Sequence, residues 1–314
     1  MPGTKKVLLI GGSGFIGLHL AKSLSARHQV AIFCKNPEKL KSIGFLSKVK
    51  ILKGDISDCN SAEEAVRGKD EIINLASVVN AHGDFDAFED LEVNCRGQLN
   101  VLEAIKKSNR KARYIFIGTR AQFGRAKEKD LPVKEDYPQN PISLYGIHKS
   151  AAENYCRLYK RAFGINSIIL RLPQVYGPSL SLCETHSIVD KFVKKALNGE
   201  KFDVNGYGKD IKDLVYIGDF AELINKILDS KVDNGIFNVG SGRKVTLAEI
   251  AKIVVSQCRP GSFRLAPFPK DKIPFELGSF YFDISKVSKE FKWKPKTSIA
   301  EGIKKTVEFY IRQV

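Results

Sequence analysis

Residues 7–17 read Val7-Leu8-Leu9-Ile10-Gly11-Gly12-Ser13-Gly14-Phe15-Ile16-Gly17. Four consecutive apolar residues between Lys5-Lys6 and Gly11-Gly12 are the pattern of a strand buried on both faces, as in a parallel sheet. From Leu18 to Leu24 the apolar residues return at helical spacing, and Val30–Phe33 is a second apolar run. Strand, glycine turn, helix and strand thus fall within the roughly 30 residues of one βαβ unit. Glycines at 11, 14 and 17 permit a tight turn, let a pyrophosphate approach the backbone, and let helix and strand pack closely. The helix N-terminus adds free N–H groups and partial positive charge. The stretch reads as a dinucleotide site formed by Gly11, Ser13, Gly14, Phe15, Ile16 and Gly17.

The end of the second strand bears on which dinucleotide. An acid there would bond a ribose 2′-hydroxyl. No Asp or Glu occurs before Glu38; the strand runs out as Phe33-Cys34-Lys35. Without that carboxylate a 2′-phosphate is not repelled, and Lys35 offers a charge-assisted contact. The expectation is NADP(H), with NAD possible. Further βα units follow: strands at Val49–Lys53, Glu71–Leu75 and Tyr114–Ile117, and helices at Ser61–Val66 and Val93–Ser108. Leu75 and Ala76, leaving the fourth strand, join the expected cofactor contacts. Strand and helix alternating at this period indicate an α/β, doubly wound Rossmann parallel sheet.

The chain has 314 residues, of which 43% are hydrophobic and 27% charged, an ordinary balance for a globular protein. Its net charge of +16 is the unusual number. Such a charge suits a nucleic-acid binder, a membrane-surface protein or an enzyme for anionic substrates. The cations are spread along the chain rather than gathered in a block, and residues 1–37 hold five of them and no acid. No apolar run is long enough to span a membrane, and Met1–Lys6 does not open a secretory signal. Six scattered cysteines (34, 59, 95, 156, 183, 258) form no CxxC pair. No zinc site or other metal is expected, and the thiols read as reduced, in a cytoplasmic protein. Small phosphorylated ligands, and neither nucleic acid nor membrane, are the expected partners.

The chemistry centres on two places. Strand Tyr114–Ile117 runs into Gly118-Thr119, at the carboxyl end where open α/β sheets bind ligands. Later comes Tyr145-Gly146-Ile147-His148-Lys149, which puts Tyr145 and Lys149 on one helix face. A nearby ammonium favours the phenolate, so Tyr145 is expected to have a lowered pKa and to act as general acid and base. Thr119 is placed to hold the reacting oxygen, and Lys149 to bond the cofactor ribose as well.

Taken in order, the glycine turn, Gly54-Asp55-Ile56-Ser57-Asp58, Asn94-x-x-Gly97, Gly118-Thr119 and Tyr145-x-x-x-Lys149 resemble the extended short-chain dehydrogenase/reductase superfamily. More narrowly, they resemble the NAD-dependent epimerase/dehydratase family, which acts on nucleotide-diphosphate sugars. Leu170–Pro178, Gly206–Asp219, Phe237–Gly242 and Trp293-Lys294-Pro295 extend the likeness nearly end to end. The resemblance implies Thr119, Tyr145 and Lys149 as catalytic residues, Asp55 and Ile56 against adenine, and Pro173 beside the nicotinamide. Lys212 stands where the family usually has a diphosphate-binding Arg, and Gln174 where it usually has Asn. A Rossmann domain of residues 1–172 and a smaller mixed α/β substrate domain of residues 173–314 follow. Leu214–Ile217 and Gly235–Val239 are expected to return to the main sheet. A homodimer is implied, packed through Val93–Ser108 and Leu144–Phe163.

Departures from the pattern narrow the reaction. Dehydratases of the family carry acids just after the catalytic Ser/Thr; here Arg120-Ala121 follows, and Arg120 is assigned to substrate. GDP-fucose synthase has an epimerising Cys two residues beyond its catalytic Ser, where this chain has Ala121; the partner His matches His186, also placed at the substrate. The family's second substrate-binding Arg has no match before Asp283, leaving Lys270 or Lys272. The expectation is NADPH-dependent reduction of a 4-keto-(deoxy) sugar nucleotide with Tyr145 as proton donor. The alternative is an NAD-dependent nucleotide-sugar 4-epimerase. From another class, a non-enzymatic NADP-sensing or RNA-binding protein of the same fold stays open.

Overall fold

The computed structural model describes residues 3–41, 43–79, 86–180, 187–258 and 260–312. The glycine-turn unit is present as read: strand β1 (Lys6–Ile10), helix α1 (Phe15–Leu24) and strand β2 (Gln29–Cys34). Four more elements complete the first half of the sheet: β3 (Lys50–Lys53), α2 (Cys59–Val66), β4 (Glu71–Asn74) and α3 (Ala87–Leu91). Then come α4 (Gly97–Ser108), β5 (Arg113–Thr119), α5 (Leu144–Phe163) and β6 (Ser167–Leu172). Val93–Ser108 is not one regular helix. Glu92–Arg96 forms a wider π turn between α3 and α4. Gly97 then lies so close to Ile56 that a Cβ would meet its Cγ2 at 2.8 Å.

After β6 the chain forms β7 (Gln174–Tyr176), α6 (Ile188–Leu197), β8 (Lys201–Val204), β9 (Ile211–Lys212), β10 (Leu214–Tyr216) and α7 (Ile217–Asp229). The rest is β11 (Gly235–Asn238), β12 (Val245–Thr246), α8 (Leu247–Gln257), β13 (Ser262–Leu265), α9 (Ser285–Phe291) and α10 (Ile299–Ile311).

Seven strands make one all-parallel sheet in the order β11-β6-β5-β4-β1-β2-β3. Sequential order reverses between β1 and β4, which opens a crevice at their carboxyl ends. The continuous apolar run of β1 divides between two faces, because successive side chains alternate. Val7 and Leu9 pack toward α1, α7 and α9; Leu8 and Ile10 pack toward α2, α4 and α5. Each such fully buried side chain contributes about 1.5–3 kcal/mol. A second core lies under α6, α8 and α10, where Val189, Phe192 and Val193 meet Phe202, Val204, Ile250, Val254, Ile303 and Val307.

Gly235–Asn238 does return to the main sheet, as the edge strand beside β6. Leu214–Tyr216 does not; it pairs in parallel with Gln174–Tyr176 in a separate two-stranded sheet. Pro173 accounts for the difference. It carries no N–H for a ladder, so the chain leaves the main sheet after Leu172, and β10 follows β7.

Candidate functional site

At the crevice a cleft of about 610 Å³ is lined from both parts of the chain. Ligand sites commonly have this size. Gly11, Gly14, Phe15, Ile16, Gly17 and Leu75 form one end. Thr119, Arg120, Tyr145, Lys149, Pro173 and Gln174 continue it. Gly11 has φ +72, and a Cβ there would meet the Ala76 backbone N at 2.6 Å. A side chain at 17 would collide with the Gly12 Cα at 2.4 Å, so α1 presses directly on the turn. A bare-backbone cradle before a helix N-terminus fits a dinucleotide pyrophosphate.

The residues that the sequence assigns to catalysis are held by a buried polar chain. The Thr119 N–H donates to Gln122 Oε1 at 2.7 Å, and Gln122 Nε2 donates to Glu153 Oε2 at 2.8 Å. Arg171 forks onto the same carboxylate, at 2.9 Å from Nε and 2.6 Å from a terminal nitrogen. Burial opposes the Glu153 charge, but Arg171, Gln122 and Arg157 together outweigh it and hold the carboxyl below its ordinary range. The ends of β5 and β6 and the middle of α5 are thereby locked together. Ser143 caps α5 through the Gly146 N–H at 3.1 Å, and Gly164 ends it in the left-handed conformation at φ +71.

Tyr145 and Lys149 share the inward face of α5, as their spacing predicts. The Tyr145 pKa lies above the ordinary value, because burial outweighs the lowering influence of the neighbouring Ser77 and Thr119. The expected lowering by Lys149 is therefore corrected. The Lys149 ammonium sits 4.8 Å over the Phe116 ring. Burial pushes its own pKa down to about 7, while Cys156 and Asp90 pull the other way.

Other sequence assignments fall outside the lining of this cleft. Ser13 hydrogen-bonds with the Cys34 side chain behind the turn. The Ala76 N–H donates to Asn74 Oδ1 at 3.2 Å, against the glycine turn. Ile56 is buried beneath Gly97, and its carbonyl accepts from Asn100 at 3.0 Å. Lys35 is paired: its Nζ is 2.9 Å from Asp55 Oδ2. The hydrogen bond and charge of Asp55 raise the Lys35 pKa. Burial opposes the Asp55 charge, but the Ser57 N–H and Lys35 hold its carboxyl low. Lys212 is likewise engaged, 3.2 Å from Glu276 and 3.4 Å from Asp210. His186 lies outside the described residues.

Several lining residues escaped the sequence reading: Ser77, Val79, Ser143, Ser187, Lys191 and the segment Phe275-Glu276-Leu277. Glu276 approaches Lys212 across 64 residues of chain, and no local pattern signals such a contact. Asn94 was noticed only as part of a motif. The π turn aims its amide at the cleft wall, where it accepts from Ser77 Oγ at 2.9 Å and donates to Asp90 Oδ1 at 2.8 Å.

Comparison with known proteins agrees with this geometry. The model of the NAD dependent epimerase/dehydratase family matches residues 7–240. A putative UDP-glucose 4-epimerase of Methanocaldococcus jannaschii is 29% identical over 96% of this chain and 97% of its own length. The structure of Thermus thermophilus UDP-glucose 4-epimerase in complex with NAD is 28% identical, with a TM-score of 0.85 over 98% of this chain and 100% of that one. That of Thermotoga maritima UDP-glucose 4-epimerase with UDP-glucose is 26% identical, with a TM-score of 0.85 over 98% and 99%.

Proposed function

From the premise that this chain belongs to the NAD-dependent epimerase/dehydratase family, and is an enzyme, we propose that it is a nucleotide-sugar 4-epimerase working with bound NAD. The observation that carries the choice is the Lys35–Asp55 pair at 2.9 Å. The preference for a 2′-phosphate rested on Lys35, and that ammonium is already neutralised by a carboxylate. The relatives named above as UDP-glucose 4-epimerases support the same reading.

Gly11, Gly14, Phe15, Ile16 and Gly17 would hold the dinucleotide along the turn, with Leu75 and Pro173 on either side of it. The nicotinamide, when bound, supplies the hydride chemistry at C4. Tyr145, as the phenolate, takes the proton of the sugar 4-hydroxyl and, as the phenol, later returns it. Thr119 keeps that oxygen in line. The buried Lys149 shares the helix face of Tyr145, and its ammonium form stabilises the phenolate that accepts the proton. Gln174 and Lys191 face the diphosphate, while Lys212 is oriented by Glu276 and Asp210. No carboxylate follows Thr119, so water elimination has no base at that position.

A 4-ketoreductase is the second reading, favoured by one observation: β2 ends at Cys34 with no acid, and Lys35 remains 60% exposed. Two measurements separate them. The nucleotide released by denaturing the purified protein is expected to be NAD. UDP-glucose is expected to equilibrate with its 4-epimer with no net change at 340 nm. Stoichiometric NADPH consumption with a 4-keto sugar, and no interconversion of 4-epimers, would establish the reductase instead.

We also propose a homodimer through α3, α4 and α5. Phe88 is 79% exposed, and Leu91, Ile147, Leu158 and Phe163 are exposed on the same two helices, α3 and α5.

A further inference from the structure

We propose that Arg120 selects a nucleotide sugar whose hexose carries an anionic substituent, of the carboxylate class. The proposal rests on the nucleotide-sugar reading above and adds the kind of sugar.

Arg120 follows Thr119 directly and lines the same cleft. Its guanidinium lies 5.8 Å over the Phe280 ring. Among the described residues it makes no side-chain hydrogen bond and no ion pair. A guanidinium keeps its charge under protein conditions and presents five N–H donors, so such an arrangement inside a cleft calls for an anion. The acids around it are committed elsewhere. Glu276 takes Lys212 at 3.2 Å and the Gly278 N–H at 3.0 Å. Asp210 takes Lys212 at 3.4 Å. Asp213 accepts from the Ser241 N–H at 2.8 Å, Ser241 Oγ at 2.9 Å and the Phe282 N–H at 3.0 Å. Burial lowers the Arg120 pKa, and those three carboxylates only partly offset it.

Position decides which anion. Gln174, Ser187 and Lys191 belong to β7 and the start of α6, the wall assigned to the diphosphate. Arg120 stands instead at the end of β5, one residue from the hydroxyl that holds the reacting oxygen. A carboxylate on the hexose, near the reacting carbon, meets the guanidinium as a two-pronged pair. A neutral sugar leaves those donors to water.

The test uses the full chain with its bound dinucleotide and a matched pair of probes, UDP-glucuronate and UDP-glucose, which differ only at C6. The wild type is expected to show at least tenfold higher kcat/KM for the uronate. Arg120→Gln is expected to lower the uronate-to-glucose ratio at least tenfold, mainly through KM. Arg120→Lys should keep part of the ratio, since it retains charge without the fork. Retained dinucleotide content and an unchanged Tm show that each variant is folded. Equal handling of both sugars by the wild type overturns the proposal. So does an equal loss for both in Arg120→Gln, which would assign the guanidinium to the diphosphate. If neither sugar binds, and neither do free UDP, dTDP and CDP, the nucleotide-sugar reading falls and this proposal with it.

Discussion

Tyr145 and Lys149 show how one environment acts differently on two neighbours. Lys149 is buried and Tyr145 half-buried, and loss of solvent disfavours whichever form is charged. The phenol is pushed up and the ammonium down, to about 7. Burial thus opposes the phenolate that must accept the sugar proton, so that form depends on the ammonium form of Lys149. Tyr145→Phe removes the proton carrier and should lower kcat by about 10²–10⁴-fold with dinucleotide binding intact; a variant within threefold of wild type would exclude the role. Lys149 makes a separate prediction about stability. Its folded pKa lies below that of the unfolded chain, so between pH 7 and the unfolded lysine range the unfolded state binds more protons. Wild-type stability relative to Lys149→Met should therefore be flat below pH 7 and rise above it, by at most about 1.4 kcal/mol per pH unit. Urea unfolding of both proteins from pH 6 to 9 checks this; a difference independent of pH would mean the ammonium is not buried.

Among the elements, the glycine turn separates residues needed by the fold from residues needed by the ligand. A Cβ at position 17 would sit 2.4 Å from the Gly12 Cα, inside the seam between α1 and the turn. At position 14 the nearest heavy atom would be 3.5 Å away, an ordinary contact. Gly17→Ala is therefore expected to destabilise the protein by about 1–3 kcal/mol through overpacking. Gly14→Ala should keep its Tm but lose at least tenfold in dinucleotide affinity. Thermal unfolding and NAD titration of the two variants are the check, and equal Tm losses would contradict the distinction. The π turn at Glu92–Arg96 is a similar local device. It interrupts what reads as one helix and turns Asn94 toward Ser77.

At the scale of the whole molecule, the main sheet and the segments after β6 both line the cleft, and the apolar side chains on α3 and α5 face outward. If those side chains form the dimer seam, Leu158→Glu should halve the mass seen by sedimentation equilibrium while leaving the helical circular dichroism unchanged. A wild-type protein that sediments as a monomer at micromolar concentration would refute the dimer. The interior is better defined than this outer face, because the sheet is closed on both sides by helices and its strands have one register each.

The sequence by itself determined the parallel sheet, the glycine turn and the Thr119–Tyr145–Lys149 set. All three are written in short-range patterns: an unbroken apolar run, glycines three apart, and a four-residue helical spacing. Contacts between distant segments were decided only by the tertiary structure. Lys35 read as a free cation because Asp55 lies 20 positions away in the chain, yet parallel pairing of β2 with β3 brings the two to 2.9 Å. Lys212 read as a diphosphate ligand until Glu276 came beside it. The Leu214–Tyr216 strand left the main sheet because Pro173 had already taken its partner away. Arg120 was visible as a departure from the family pattern, but only the fold shows that the described acids around it, Asp210, Asp213 and Glu276, hydrogen-bond to other partners. Charge pairing depends on what surrounds a side chain in space, and spacing along the chain does not carry that information.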